Sequence, residues 1–496
     1  VRGGGTDAII TSFHHQSGTM RKRVIGIKAL ASLLTLGTGG SGGREGPTMY
    51  IGGALGSLTG QLLQLTARER RILLVAGIAA GISAVFKTPL GAALLAVEVL
   101  YRDGFESDAL IPSVFASVVS YSLAVSITGE STLFAHDGHF PFLPAHLPLY
   151  ALLAVVVAAA ATLFLGVFRL IRTAFTKLPG PVWIRPGIGG LALGLLSVPI
   201  ILLVGNFVHI PGQGIGLLGG GYGAVQMAIS GVSWLPDGWH AVLLLSVIAF
   251  AKMVATSFTI GSGGSAGDFA PSLAIGGLVG GAFGQTARIL FADPAIDPGA
   301  FALVGMGAFY GGLAHVPLAA VILVCELAGS YDLLVPLMLA QGIAFVVLRN
   351  RSLYEAQESD HIHSPVRRPD RTTDLLKTIP VEEAALKNRS FARFQPSDPI
   401  EHITAECRAH PDQEIFPVVK GDGTIRGIIS WSSVATASSN RDFLPWIIAS
   451  DVMQPPVAVF EGNDLRAAVE LLAANGIRQI PVVNSEARLT VLLTQE

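Results

Sequence analysis

Residues 1 to about 350 carry one apolar run after another, separated by short breaks rich in Gly, Pro or charge. The runs are Val24–Leu36, Ile72–Val85, Leu90–Leu100, Leu110–Ile127, Leu149–Leu170, Ile188–Val204, Ala241–Ala255, Ser272–Phe283, Phe301–Leu313, Pro317–Leu327 and Leu333–Leu348. A simple membrane-crossing helix needs about 20 apolar residues. Several of these runs are shorter, and Gly or Pro interrupts many of them. Helices that stop inside a bilayer are tolerated only where the freed backbone packs in protein or lines a cavity, which is the pattern of channels and transporters. From about Ser359 the pattern changes. "SDHIHSPVRRPDR" is polar, basic and broken by proline, as expected of a linker leaving the membrane on the Lys/Arg-rich inner side. Residues 376–496 then read as soluble α/β.

Both parts repeat internally. "GTGGSGGREGPTMYIGG" (37–53) aligns without gaps on "GSGGSAGDFAPSLAIGG" (261–277), with nine of seventeen positions identical. "PLGAALLAVE" (89–98) aligns on "PLAAVILVCE" (317–326). The offsets, 224 and 228 residues, are nearly equal, so a duplicated membrane half is expected, with the two halves meeting at a central site. Chance similarity of glycine-rich membrane sequence is the plainer alternative. In the tail, "EIFPVVKGDGTIRGIISWSS" (414–433) and "RQIPVVNSEARLTVLLTQE" (478–496) each read as two β runs about a polar turn. Helical stretches precede them, at Pro399–Arg408 and Asp464–Asn475.

Composition agrees with a large lipid-embedded part. Of 496 residues, 51% are hydrophobic and only 14% charged, against about a quarter charged in soluble proteins; mean hydropathy is +0.57. The net charge of −2 leaves no nucleic-acid footprint. The two cysteines, Cys325 and Cys407, fall in segments of different character and imply no disulfide framework. The chain opens at Val1 without a methionine or signal peptide, and further helices upstream are expected.

The chemistry concentrates at the repeated glycine loops. Gly43-Arg44-Glu45-Gly46-Pro47 sits where a loop turns into a helix, and Pro47 suits a first helical turn. Gly267-Asp268-Phe269-Ala270-Pro271 repeats the arrangement. Helix starts have unpaired N–H donors and a positive dipole end, so two of them from two halves can aim at one anion. Such donors attract a permeating anion without the deep trap of a dry lysine.

With these motifs the chain resembles the CLC family of chloride channels and proton/chloride exchangers, from Gly3 to about Tyr354, and the tail resembles a tandem pair of CBS modules. The resemblance implies an all-α polytopic membrane protein with an inverted internal repeat, followed by a cytoplasmic α/β CBS pair. It also implies a homodimer with one path per subunit, in membrane lipid, carrying an inorganic anion such as chloride. The expected divisions are 1–357 for the membrane domain, 358–376 for the linker, and 377–440 and 441–496 for the two CBS modules, the second short at its C-terminus. Carried over position by position, Glu45 matches the gating glutamate; complementing a helix dipole is its simpler role. The amides of Asp268 and Phe269 match the central anion site, with the Asp268 side chain expected to point away or cap its helix. Tyr354 matches the tyrosine that closes this site from the cytoplasm, an ordinary interfacial tyrosine being the alternative. Gly43, Arg44, Gly46, Pro47, Gly267 and Pro271 complete the filter.

Two positions depart from the family pattern. Gly3-Gly4-Gly5-Thr6-Asp7 stands where Gly-Ser-Gly-Ile-Pro is usual, so a serine hydroxyl is lost at Gly4, and Thr6 or water is left to replace it. After Glu98, where many exchangers carry a second, proton-carrying glutamate, stands Val99. Glu98 has its own match at Glu326, which favours a capping or packing role over an intramembrane functional acid. Val99 leads to the expectation of a passive anion channel gated by Glu45, with a proton-coupled antiporter for chloride or fluoride as the alternative. A CBS-bearing divalent-cation transporter is disfavoured by the Gly-rich helix starts. No P-loop, zinc spacing or nucleophile–base pair suggests an enzyme. His14, His15, His136 and His139 fall in loop-like polar stretches and read as solvated rather than metal-bound. Adenine nucleotide binding by the CBS pair is weighed against a purely structural tail, because neither Ser430-Trp431-Ser432-Ser433 nor Thr494-Gln495-Glu496 fits a ribose contact well.

Overall fold

The computed structural model describes residues 3–130, 132–134, 140, 143–207, 216–230, 235–236, 238–360, 364–367, 376–384, 391–438 and 446–494. They divide into two units, Val1–Val366 and Arg367–Glu496. Much of the expected linker, His136, His139 and the last two residues lie outside the described residues.

The first unit is helical: α1 Thr6–His15, α2 Arg23–Gly37, α3 Glu45–Leu62, α4 Ala67–Phe86, α5 Pro89–Glu98, α6 Leu110–Thr128, α7 Leu147–Lys177, α8 Arg185–Phe207, α9 Tyr222–Ser230, α10 Trp239–Gly261, α11 Phe269–Phe291, α12 Pro298–Ala314, α13 Pro317–Ala328 and α14 Leu334–Leu348. Among the described residues, five helical stretches are long and apolar enough to cross a membrane, those of α6, α7, α8, α10 and α11. With 31 residues, α7 is about 46 Å long at 1.5 Å per residue, which exceeds a hydrocarbon core of about 30 Å. Helix ends follow polar signals that apolar runs do not register. Thr66 and Glu69 form a capping box that starts α4 in the charged "ARERR" stretch. Pro89, Pro298 and Pro317 open α5, α12 and α13. On α6, Ile111, Phe115, Val119, Leu123 and Ile127 form an i, i+4 stripe, each more than half exposed and suited to lipid or another apolar surface.

The two halves hold each other crosswise. Gly43 N donates to Gly267 O and Gly267 N to Gly43 O, both at 2.7 Å, an antiparallel bridge. Ser41 N donates to Thr259 Oγ1 at 2.9 Å, and Ser265 N to Thr35 Oγ1 at 3.1 Å. Glu98 at the end of α5 accepts from Leu318 N (3.2 Å) and Ala319 N (2.8 Å) at the start of α13. Glu326 in α13 accepts from Leu90 N (3.1 Å) and Gly91 N (2.8 Å) at the start of α5. Each pair of bonds is the other with the halves exchanged, so the duplication read from sequence is an inverted repeat in space. Close helix crossings depend on absent side chains: a Cβ on Gly52 would lie 2.2 Å from Gly77 O, and one on Gly280 2.2 Å from Phe301 O.

In the second unit, β1 (Ile415–Val419) pairs antiparallel with β2 (Ile425–Ser430). β4 (Gln479–Val483) pairs in parallel with β3 (Val459–Phe460) and antiparallel with β5 (Leu489–Thr494). The helices Ile400–Ala409 and Leu465–Asn475 precede β1 and β4, as the sequence suggested. Each module has its own small core, one around Phe394, Ile403 and Phe416, the other around Val459, Leu472 and Ile480.

Candidate functional site

Three glycine loops converge near the centre of the first unit. A Cβ on Gly46 would sit 2.9 Å from Gly267 Cα and 3.3 Å from Gly4 Cα. The loops lead into α1, α3 and α11. None of these three helix starts has a side-chain cap, so their first N–H groups remain available to an anion or carboxylate. Gly3, Gly4 and Gly5 precede α1, with Gly3 and Gly5 in the left-handed region (φ 61° and 97°). Pro47 and Pro271 each occupy the third position of their helix and are buried. Arg44 is exposed at the start of α3.

The Glu45 carboxylate is fully buried at this junction. Tyr222 donates its hydroxyl to Oε1, while Oε2 has no hydrogen-bond partner among the described residues. The carboxylate folds back over Gly43, where a Cβ would lie 1.9 Å from Oε2. This requires glycine at 43 through close approach rather than backbone angle.

Asp268 corrects an expectation. Its side chain neither caps α11 nor points away. Oδ1 accepts from the Tyr354 hydroxyl at 3.2 Å, and the residue lines a cavity of about 350 Å³ with Gly3, Gly4, Asp7, Arg172 and Tyr354. Tyr354 is buried rather than interfacial, and its hydroxyl lies 3.5 Å from that of Tyr310. Phe269 packs edge-on against Tyr310, ring centroids 4.4 Å apart. Thr6 is buried on the same cavity; its Oγ1 lies beside Tyr354 without a hydrogen bond of good geometry.

Three functional side chains escaped the sequence reading. Tyr222 follows a third repeated block: "GGGYGA" (219–224) stands to "GGGTDA" (3–8) at an offset of 216 residues. Tyr222 is thus the counterpart of Thr6. Lys28 and Lys252, 224 residues apart and both fully buried, are counterparts as well. Lys28 donates to Gly3 O; Lys252 donates to Gly219 O at 2.7 Å and Leu217 O at 3.1 Å. Each lysine fixes one glycine triplet, Lys28 through Gly3 O and Lys252 through Gly219 O. The block offset was the signal that could have found all three.

Val99 is buried in the core, with its carbonyl accepting from Gln357 at 3.0 Å. Glu98 and Glu326 cap the opposite helices, as their matched positions suggested. His14 is not in a solvated loop: it is buried in α1, with Nδ1 2.8 Å from Ser364 Oγ and Nε2 3.0 Å from Leu100 O. Among the described residues no His/Cys/Asp/Glu group could hold a metal ion. Ser430 Oγ lies 2.8 and 2.9 Å from the hydroxyls of Ser432 and Ser433.

A family model described as voltage gated chloride channel matches residues 1–349, and a CBS domain model matches residues 449–490. The H(+)/Cl(-) exchange transporter ClcA of Yersinia pestis bv. Antiqua (strain Angola) is 31% identical over 318 residues, covering 64% of this chain and 63% of the relative. The protein of the same name from Salmonella agona (strain SL483) is 32% identical over 327 residues, covering 64% of each. The chain thus spans just under two thirds of the length of these relatives. Among solved structures, a slow cyanobacterial Cl-/H+ antiporter aligns with a TM-score of 0.60 at 25% identity, covering 70% of this chain and 78% of the other. A CLC-type fluoride/proton antiporter aligns with a TM-score of 0.60 at 24% identity over 72% and 82%, a likeness of fold alone. The expectation of a passive channel is overturned by these relatives, which are named exchangers. It rested on a single missing acid at Val99, and other carboxylates, Asp7 and Asp268, line the cavity beside the junction.

Proposed function

We propose that this chain, which belongs to the voltage gated chloride channel family, is an integral membrane protein that exchanges chloride for protons, with the Glu45 carboxylate as the group for which both ions compete. The observation that carries this reading is the position of that carboxylate. It is buried where the uncapped starts of α1, α3 and α11 converge, with one oxygen held by Tyr222 and the other unpartnered among the described residues. A carboxylate and a chloride use the same N–H and O–H donors, so the charged side chain excludes the anion. A proton neutralises the side chain and releases those donors. Each passage of chloride is thereby tied to a protonation of Glu45, and coupling follows if the acid gives its proton up on the other side. The naming of relatives at 31–32% identity as exchange transporters supports the same reading.

In this reading the anion's route runs along Gly3–Gly5, Gly43–Pro47 and Gly267–Pro271 to Tyr354. Thr6 supplies the hydroxyl that Gly4 lacks. A second copy of the chain covers part of the exposed apolar surface, and chemical crosslinking in membranes tests this dimer. Calorimetry of the whole protein with ATP, ADP and AMP tests nucleotide binding by the tail.

The deciding experiment uses purified protein in vesicles loaded with high chloride and placed in low chloride. Chloride efflux should drive protons inward against their gradient at a fixed ratio, and Glu45→Gln should abolish the proton movement. Dissipation of the chloride gradient with no proton movement overturns the proposal. A second arm with fluoride inside identifies the preferred anion.

A further inference from the structure

Glu45 is not the only carboxylate placed at the start of a helix in this path. Asp268 directly precedes α11, one position before Phe269, the repeat counterpart of Glu45, which is the first residue of α3; the two loops bridge each other through Gly43 and Gly267. The lysine-held glycine triplets beside the two carboxylates correspond with the halves exchanged. Glu45 accepts the hydroxyl of Tyr222, which follows the glycine triplet that Lys252 holds through Gly219 O. Asp268 lies beside Gly4 of the triplet that Lys28 holds through Gly3 O, a Cβ on Gly4 being 3.8 Å from Asp268 Oδ1, and accepts the hydroxyl of Tyr354, with Thr6, the counterpart of Tyr222, on the same cavity. One difference matters. Asp268 lines a cavity of about 350 Å³ with Leu353 and Tyr354, which follow α14. The other charged groups at this cavity are Asp7 from α1, Arg172 from α7 and Arg185 from α8.

Beyond Asp268 the hydroxyls of Tyr354 and Tyr310 lie 3.5 Å apart, either able to donate. Tyr310 is buried, and its ring packs edge-on against that of Phe269, the repeat counterpart of Glu45, with centroids 4.4 Å apart. A carboxylate open to a polar cavity on one side and to buried hydroxyls on the other is a place where protons enter a dry interior.

We propose that Asp268 is the second proton-carrying carboxylate of the path, serving the cavity side and filling the role that Val99 leaves open. This rests on the exchange reading above. The step balances. Hydronium in the cavity protonates Asp268 and leaves water. The hydroxyls of Tyr354 and Tyr310 each accept one proton and release another. Glu45 ends neutral and Asp268 returns to the carboxylate.

The test measures protons moved per chloride in the vesicle assay for the wild type, Asp268→Asn, Asp268→Glu and Tyr310→Phe. Asp268→Asn should lower the ratio at least tenfold, and Asp268→Glu should hold it within about threefold of wild type. Tyr310→Phe, which keeps the ring against Phe269, should lower it as well. An unaltered ratio in Asp268→Asn or in Tyr310→Phe overturns the proposal while leaving exchange intact. Equal loss of coupling in Asp268→Asn and Asp268→Glu also overturns it, since the carboxylate would then not be what matters. A wild type that moves no protons removes the exchange reading itself, a result distinct from the other three.

Discussion

Removing the Glu98 side chain should destabilise the membrane unit without touching coupling. Its two carboxylate oxygens accept from Leu318 N at 3.2 Å and Ala319 N at 2.8 Å, and the residue is only 4% exposed. Hydrogen bonds to charged groups contribute about 1.5–3 kcal/mol each, and one buried and one partly buried N–H group would be left unpaired. Glu98→Ala should therefore cost about 3–6 kcal/mol. Glu98→Gln keeps one acceptor oxygen and should cost roughly half as much. Glu326 makes the same two bonds to Leu90 N and Gly91 N, so Glu326→Ala is an internal control with a loss of similar size. The assay is reversible unfolding in mixed micelles by rising SDS mole fraction, followed by the vesicle ratio of protons to chloride on folded protein. A Glu98→Ala protein that unfolds like wild type but moves fewer protons per chloride would refute the capping argument and make Glu98 a proton carrier.

Three further outcomes are expected. Gly43→Ala places a Cβ 1.9 Å from Glu45 Oε2 and 2.9 Å from the Ala270 Cβ; the carboxylate should be driven off Tyr222, and chloride flux in vesicles should lose its proton coupling. Tyr222→Phe removes the hydroxyl that fixes Glu45; if that bond contributes about 1.4 kcal/mol, chloride turnover rises by up to about tenfold, and unchanged turnover would show that the hydroxyl does not restrain the carboxylate. In the tail, burial pushes the Cys407 thiol up to about 11, the neighbouring Glu406 charge adding to the shift. Little thiolate then exists at pH 8, so maleimide should label Cys407 only after denaturation, and rapid labelling of native protein would contradict the buried position.

What could be read from the sequence was whatever a local motif or a repeat encodes. The Glu45 loop, its partner at 261–277, the capping pair Glu98 and Glu326, and the β runs of the tail all have short-range signatures. Side chains whose meaning depends on a partner that only the fold supplies, 25 to 177 residues away, were not legible. Tyr222 matters because it reaches Glu45, and Lys28 and Lys252 matter because each meets a glycine carbonyl. Inside "IGIKALAS" and "FAKMVA" the two lysines look like flaws in apolar runs; only the offset of 224 residues joins them. Asp268 was misjudged because a carboxylate beside an anion path looks unfavourable until the tyrosine that donates to it is in place. The channel expectation failed for a related reason: the loss of an acid at Val99 says nothing about acids, such as Asp7 and Asp268, that the fold brings to a cavity elsewhere.

The crosswise bonds also bear on how the protein is made. Neither half contains the groups that satisfy its own interrupted helices: α5 waits for Glu326 and α13 for Glu98, while the loop at Gly43 waits for Gly267. Glu98 and Glu326 are 228 positions apart. At about 5–20 residues per second, the first half stays in the membrane for roughly 10–45 s before its partner is synthesised. During that interval its open helix starts and buried lysine are suited to an insertion factor or a water-lined translocation site rather than to lipid. Assembly of this fold is therefore an event of the completed pair, and a nascent chain stopped between the halves is the species that quality control would meet.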